Sequence, residues 1–342
     1  MIATLSDIEK KIISQLQEGI PIVEKPFEKL SSEIGISQSE YLDVVNNLKE
    51  QKIIRQISPI YDTKSLGYDS SLVAFKVEDD IEKVAQFVNS HPGVSHNYER
   101  THEFNLWFTI AVPPDSSLGL EKTVQLIAEK NNIKQYAILR TEKLYKIGVK
   151  LDTEGTKKKE KIKKTQPKID YQLQEEDKDI IKISQEDIPL VENPFEEYAK
   201  QLGISQDYLL EKLNLYLKAG LMRRFAAILY HKKAGFKANG MTVWNVPEEK
   251  IDKLGYKLAS YKAVTHCYKR TTNKYWKYPL FSMIHAQTKE ELEQFVKDIA
   301  EEEGIKDYLI LYSTTEFKKR RIKYFSDEFY KWEVYIQNGG NN

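Results

Sequence analysis

The sequence is short of several things. Its 342 residues include one cysteine, Cys267. A single cysteine excludes an intrachain disulfide and a thiolate-built metal centre, and it fits a reducing, cytoplasmic compartment. No stretch approaches the ~18 uncharged apolar residues of a membrane span. The opening MIATLSDIEKKIISQLQ mixes acids and lysines into its apolar pattern, so it lacks the core of a secretion signal. Neither charge is in surplus: Lys+Arg is 52, Asp+Glu is 51, and the net charge is +1. Such a balance gives no global field to draw in DNA or an anionic membrane, and neither is expected as a partner. There is no glycine-rich phosphate loop and no His/Cys/Asp grouping of the kind that holds a catalytic zinc. What is present is a hydrophobic content of 41%. At this length that is enough for two domains or a few small ones.

The chain repeats itself. Ile20–Gln38 reads IPIVEKPFEKLSSEIGISQ and Ile188–Gln206 reads IPLVENPFEEYAKQLGISQ, identical at eleven of nineteen positions with an offset of 168. Further on, VSHNYER at Val94–Arg100 matches VTHCYKR at Val264–Arg270 with an offset of 170. Two matches in the same order mark a duplication. Between the copies lies TEGTKKKEKIKKTQPK, residues 153–168. It has too few apolar groups to repay its ordering, so it reads as a solvated linker.

Each copy has the same organisation. Leu5, Ile8, Ile12, Ile13 and Leu16 recur at helical spacing behind Ser6, a residue suited to capping. Pro26–Ile34 predicts a second helix stopped by Gly35, and Ser37 opens a third to about Lys49. Extended segments at Ile53–Ile60 and Ser70–Val77, around a turn at Gly67, complete a winged helix-turn-helix with its β-ribbon. A βαββαβ order follows: Leu72–Val77, Ile81–Asn89, Val94–Arg100, Leu106–Val112, Leu118–Glu129 and Ile133–Leu144. The second copy repeats it from Met241–Val246 to Asp307–Thr315. The fold class is therefore α+β, a tandem duplication of a winged helix-turn-helix and a ferredoxin-like sandwich. The domains are placed at 1–60, 61–152, the linker 153–168, 169–228 and 229–342, and the two halves are expected to pair with each other.

This is the plan of Lrp/AsnC regulators, so DNA binding is the first question. A recognition helix offers cations to phosphates and Arg, Lys, Asn or Gln to bases. The candidates SQSEYLDVVNNLKEQK and SQDYLLEKLNLYLKAG carry Glu40, Asp43, Asp207 and Glu211 and no arginine. They read as packing elements. The sandwich segments have the opposite character. Val264–Gln287 holds His266, Tyr268, Arg270, Tyr275, Trp276, Tyr278, Met283 and His285. Upstream lie Arg223, Arg224, His231, Asn239 and Met241.

These stretches resemble the siroheme decarboxylases. IRQ at Ile54–Gln56 and VSHNYERTHEFNLWFTI at Val94–Ile110 are similar to the A or NirD type. RRFAAILYHKKAGFKANGM, VTHCYKR, W-x-Y-P-L-F-x-M-I-H and STTEFKKRRIKYF are similar to the B or NirL type. The resemblance covers nearly the whole chain outside the linker and the C-terminal tail. It implies conversion of two acetate arms of siroheme to methyl groups, in haem d1 or alternative haem synthesis. It also implies that the only iron is the substrate's own, with no resident cofactor. A homo-oligomer or related subunits are compatible with it. A tetrapyrrole-sensing regulator and a non-catalytic carrier are the alternatives.

Siroheme is a planar polycarboxylate. Its site needs apolar faces for the ring and cations at the rim, where arginine's fork pairs with carboxylate. Arg223, Arg224 and Arg270, with Arg55 and Arg100 from the first half, are rim candidates; each could equally serve an ordinary ion pair. Asn239, Met241, His266, Tyr268, Tyr275, Trp276, Tyr278 and Met283, with His96 and Tyr98, complete the expected binding set. Loss of CO2 leaves an electron pair that the ring delocalises, and a proton must then reach the exocyclic carbon. His231 and His285 are the catalytic candidates, as proton donor or as axial ligand of the substrate iron. Their first-half counterparts are Thr63 and Ala111. One complete site, built mainly by the second half, is expected. His91 and His102 read as loop residues, and Cys267 as a small buried hydrophobe facing away from His266 and Tyr268.

Overall fold

The computed structural model describes residues 5–147, 169–230 and 238–339. The expected linker and His231 lie outside the described residues. The first half runs α1 (Asp7–Glu18), α2 (Pro26–Ile34), α3 (Gln38–Glu50), β1 (Ile54–Tyr61), β2 (Asp69–Phe75), α4 (Ile81–Ser90), β3 (Val94–Arg100), β4 (Leu106–Val112), α5 (Gly119–Lys130), β5 (Tyr136–Leu139) and β6 (Thr141–Ile147). The second runs α6 (Glu175–Ser184), α7 (Pro194–Leu202), α8 (Gln206–Ala219), β7 (Met222–Leu229), β8 (Ala238–Trp244), α9 (Glu248–Ala259), β9 (Val264–Arg270), β10 (Leu280–Ala286), α10 (Lys289–Glu303), β11 (Tyr308–Lys319) and α11 (Asp327–Gln337). The helix signals act as the sequence predicts. Ser6 and Glu9 form a capping box on α1. Gly35 closes α2 in the left-handed region with φ 75°. Among the described residues no helix is long and apolar enough to cross a membrane.

The compact units follow element type and not halves. One unit joins Met1–Tyr68, Gln166–Lys232 and Lys323–Asp327; the other joins Asp69–Thr165, Lys233–Ile322 and Glu328–Asn342. The duplicated α+β plan holds, with one correction. The ribbon is not a hairpin of β1 and β2 within a half. β1 pairs antiparallel with β7 of the other half, while β2 pairs with β4 and β5 in the sandwich unit. The twin strand satisfies the β1 ladder, so one ribbon serves both helix-turn-helix modules. The segment 229–342 is also not one domain, because Lys323–Asp327 returns to the helical unit.

In the sandwich unit the strands run β5-β2-β4-β3-β11-β8-β10-β9-β6. Each half supplies four strands in ferredoxin-like order, and its last strand then crosses to the other half. β6, the continuation of β5, pairs with β9. The far end of β11 pairs with β3. The crossing points match: Thr271 N–H donates to Arg140 O over 2.9 Å, and Thr101 N–H donates to Tyr312 O over 3.1 Å. Helices pack on one face of each half of this sheet, around Phe75, Phe108 and Ile127 in the first half and Trp244, Leu258 and Phe295 in the second. A third apolar cluster, with Trp107, Met241, Trp276 and Phe281, joins the helix-free faces. The C-terminal α11, which the sequence reading leaves as a tail, lays Phe329, Trp332 and Ile336 on the first half's helices. Its Glu333 accepts hydrogen bonds from Ser117 N–H at 3.1 Å and Leu118 N–H at 3.4 Å, at the start of α5.

Candidate functional site

Alternation along β3 and β9 generates two matching ladders. His96, Tyr98 and Arg100 share the helix-free face of β3, and Asn97 points the other way to bond Ala85 O in α4. His266, Tyr268 and Arg270 do the same on β9, where Cys267 is buried on the helix side as expected. Each histidine lies near-parallel to its tyrosine, with centroids 6.2 Å apart in both ladders. Each arginine stacks on that tyrosine, at 5.5 Å for Arg100 and 4.6 Å for Arg270. Both arginines also tie the crossing strands. Arg100 donates to Leu311 O and Arg270 to Leu139 O, each over 3.1 Å. In both, Nε is buried without an acceptor among the described residues. Burial draws both guanidinium groups down to about 10, so they stay charged at neutral pH. Each arginine thus keeps a donor that no group among the described residues takes up, and arginine's fork suits carboxylate.

The ladders diverge beside the histidines. Pairing slips between Val94 and His96 in β3, and between Val264 and His266 in β9. Ser95 and Thr265 are the residues gained, and such bulges re-aim a side chain. The Thr265 hydroxyl lies 3.0 Å from His266 Nδ1 and 2.9 Å from His285 Nε2. The Ser95 hydroxyl lies 2.9 Å from His96 Nδ1, but its second partner is the Thr109 hydroxyl at 2.7 Å. The second half thus has an imidazole pair where the first has one imidazole and an alcohol. Burial, and then the positive neighbours His285, His96, Arg270 and Lys146, pull His266 down to about 4. Burial and Lys319 lower His285. Burial and Lys319 also lower His96, against a smaller opposing pull from Glu316. The histidines of the cluster are half-buried and set among cations that lower their proton affinity, so a polyanion would oppose that effect.

Other expected residues divide. Asn239 stands opposite His285, and Met241 opposite Met283, across β8 and β10, so all four share the His266 face. Trp276 and Tyr278 do not present themselves to a ligand. Trp276 is 2% exposed among Phe104, Trp107 and Phe281, and its indole N–H bonds Tyr278 O. Tyr278 is also buried and donates to Asp307 at 2.9 Å. The insertion carrying them plugs the apolar interior, because its aromatics gain more from sheet packing than from an open face. Tyr275 is half-exposed and lines, with His102, a cleft of about 230 Å³. That is below the ~300–1,000 Å³ typical of ligand pockets. Arg55, Arg223 and Arg224 belong to the helical unit. There Arg223 pairs with Asp62 at 2.6 Å and Arg224 donates to Gln17 O at 3.0 Å, the ordinary structural roles. Thr63, the counterpart of His231, bonds the Tyr324 hydroxyl at 2.8 Å. His91 lies in the loop after α4, as expected, and is fully buried there against Trp332 at 4.4 Å. Sequence reasoning missed Ser95, Thr265 and Lys319. Polar residues flanking a strand histidine were the available signal, but the bulge that turns them inward leaves no mark in the sequence.

The comparisons with known proteins agree with this arrangement. The AsnC-like ligand binding domain family matches residues 65–146 and 233–318. The siroheme decarboxylase NirDL-like HTH domain family matches 9–55 and 177–223. A siroheme decarboxylase of Hydrogenobacter thermophilus (strain DSM 6534 / IAM 12695 / TK-6) is 50% identical over 94% of this chain and 96% of its own length. The crystal structure of the siroheme decarboxylase NirDL superposes with a TM-score of 0.79 at 44% identity, covering 98% of this chain and 99% of that one. The NirDL structure in co-complex with an iron-uroporphyrin III analogue gives a TM-score of 0.81 at 43% identity, covering 97% and 99%. Two AsnC-like sandwiches and two NirDL-like helix-turn-helix modules, in one chain alike from end to end, leave one assignment: this chain belongs to the siroheme decarboxylase family.

Proposed function

We propose that this chain decarboxylates siroheme, converting two ring acetates to methyl groups. The observation that carries the reading is the pair of His–Tyr–Arg ladders, with two buried guanidinium groups each keeping an unbonded Nε. In this reading Arg100 and Arg270 meet substrate carboxylates, and the apolar side chains of Met241 and Met283 lie against the macrocycle. Lys319 adds a further cation. As the C–CO2 bond breaks, the electron pair passes into the conjugated ring. His285 then delivers the proton that completes the methyl group, within the imidazole pair it forms with His266. Binding of a polycarboxylate opposes the cations around these histidines and raises their proton affinity, which prepares them to donate. The chain needs no cofactor of its own, since the iron arrives with the substrate. The test is anaerobic incubation of the pure chain with siroheme, followed by mass spectrometry. Loss of two CO2 per macrocycle is expected. Unchanged siroheme, bound but not converted, would make the protein a carrier.

A further inference from the structure

Thr265 has no assigned part in any of this, yet it is the residue through which the imidazoles of His266 and His285 meet. It is 4% exposed, too deep to reach solvent. Its hydroxyl contacts His266 Nδ1 at 3.0 Å and His285 Nε2 at 2.9 Å. We propose that Thr265 is a positioning residue for the decarboxylation, whose single hydroxyl proton couples His266 and His285: one facing nitrogen is protonated and the other bare, which, with Nδ1 of His266 facing Nε2 of His285, puts both rings in the same tautomer. The inference rests on the reading that this face carries the chemistry.

A hydroxyl donates one proton and accepts through its lone pairs, and a neutral imidazole has one donor and one acceptor nitrogen. If both facing nitrogens were bare, the hydroxyl could satisfy only one, and a buried unpaired nitrogen costs about 1–3 kcal/mol. If both carried protons, the oxygen would accept twice, and its own proton would need another acceptor in a buried site. The stable arrangement has one facing nitrogen protonated and the other bare. The outward nitrogens are then also opposite in kind, one donor and one acceptor. The first half shows what the bridge is without a second imidazole, since Ser95 joins His96 to Thr109 and fixes nothing beyond its own ring.

The test uses the full chain with Thr265→Val, Thr265→Ser and the first-half control Ser95→Ala. Valine keeps the shape and removes the hydroxyl; serine keeps the hydroxyl and removes the methyl. With siroheme, Thr265→Val should lower kcat about 10²-fold, the lower end of what a positioned proton donor contributes, while KM stays within about twofold. Thr265→Ser should regain most of the loss, and Ser95→Ala, which leaves the imidazole pair intact, should cost kcat less than Thr265→Val does. Nitrogen-15 NMR of the histidine side chains in the protein alone should show the same tautomer for His266 and His285, both Nε2–H or both Nδ1–H, scrambled by valine and kept by serine. Parent-like kcat in Thr265→Val would overturn the proposal, as would equal loss in the valine and serine variants or unlike tautomers in the parent. If the parent itself leaves siroheme unchanged, the functional reading fails, and the tautomer spectra still decide the bridge.

Discussion

The two halves of the sandwich unit share a skeleton and differ in what they hang on it. Both keep the bulge, the histidine, the tyrosine and the arginine, and in both the arginine reaches a carbonyl of a crossing strand. These common features serve architecture, because each arginine bonds the crossing strand, and in the proposed reading they also meet the substrate's carboxylates. The halves part at Thr109 and Ala111 against Met283 and His285, at the insertion carrying Trp276, and at α11, which covers the first half's helices. A duplicated fold is thus its own control. What both copies retain is what the shared sheet requires, and what one copy has alone marks where it specialised.

That comparison can be broken or sharpened by substitution. Trp276 belongs to the second half only and sits at the centre of the cluster joining the helix-free faces. Trp276→Ala should destabilise by about 3–5 kcal/mol, as buried aromatic truncations do; urea unfolding measures it, and a loss under 1 kcal/mol would return Trp276 to the ligand set. Arg100→Lys and Arg270→Lys test the feature the halves share. Each keeps the charge and loses the fork, so each should raise KM for siroheme about tenfold, with kcat much less affected. A response from Arg270 alone would confine the rim to one half. Glu333→Ala removes a buried carboxylate that serves only the first half, leaving Ser117 and Leu118 N–H groups without it. A loss of about 1–3 kcal/mol is expected, measured by the same unfolding curves.

The smallest effect at neutral pH concerns acid tolerance. His91 stands where the second half has Tyr261, and burial first, then Lys318, lowers it to about 3. The unfolded chain takes up this proton near pH 6.5 and the folded chain does not. Stability is therefore full above that pH and falls as pH drops from about 6.5 toward 3. His266, lowered to about 4, acts in the same direction. His91→Tyr should flatten the fall, even if it lowers stability at pH 7. Parallel curves for variant and parent would mean that His91 is protonated in the folded protein.

Much of the fold was legible because it is local. Caps at Ser6 and Ser37, the stop at Gly35, and alternation in VSHNYER and VTHCYKR mark their elements within a residue or two. Strand exchange was not legible. β5–β6 and β11 alternate the same way whether their far ends pair within a half or across, and only the three-dimensional sheet decides. The single ribbon of β1 and β7 escaped for the same reason. At the site, the ladder residues His96, Tyr98, Arg100, His266, Tyr268 and Arg270 were readable from spacing. Trp276 was expected at a ligand and packs in an apolar cluster, because an aromatic run looks the same whether its rings face a ligand or a core. Thr265 was invisible, since strict alternation would turn it away from His266 and only the bulge brings it round.

The account's central claim is that the second-half face carries the proton chemistry and the first-half face lends a rim. Single-turnover decarboxylation of siroheme by His285→Ala and His96→Ala, with binding followed spectroscopically on the same preparations, tests it most directly. The account predicts that His285→Ala binds siroheme yet converts it about 10²–10⁴-fold more slowly, and that His96→Ala loses far less. A larger loss in His96→Ala, or parent-like turnover in His285→Ala, would contradict it.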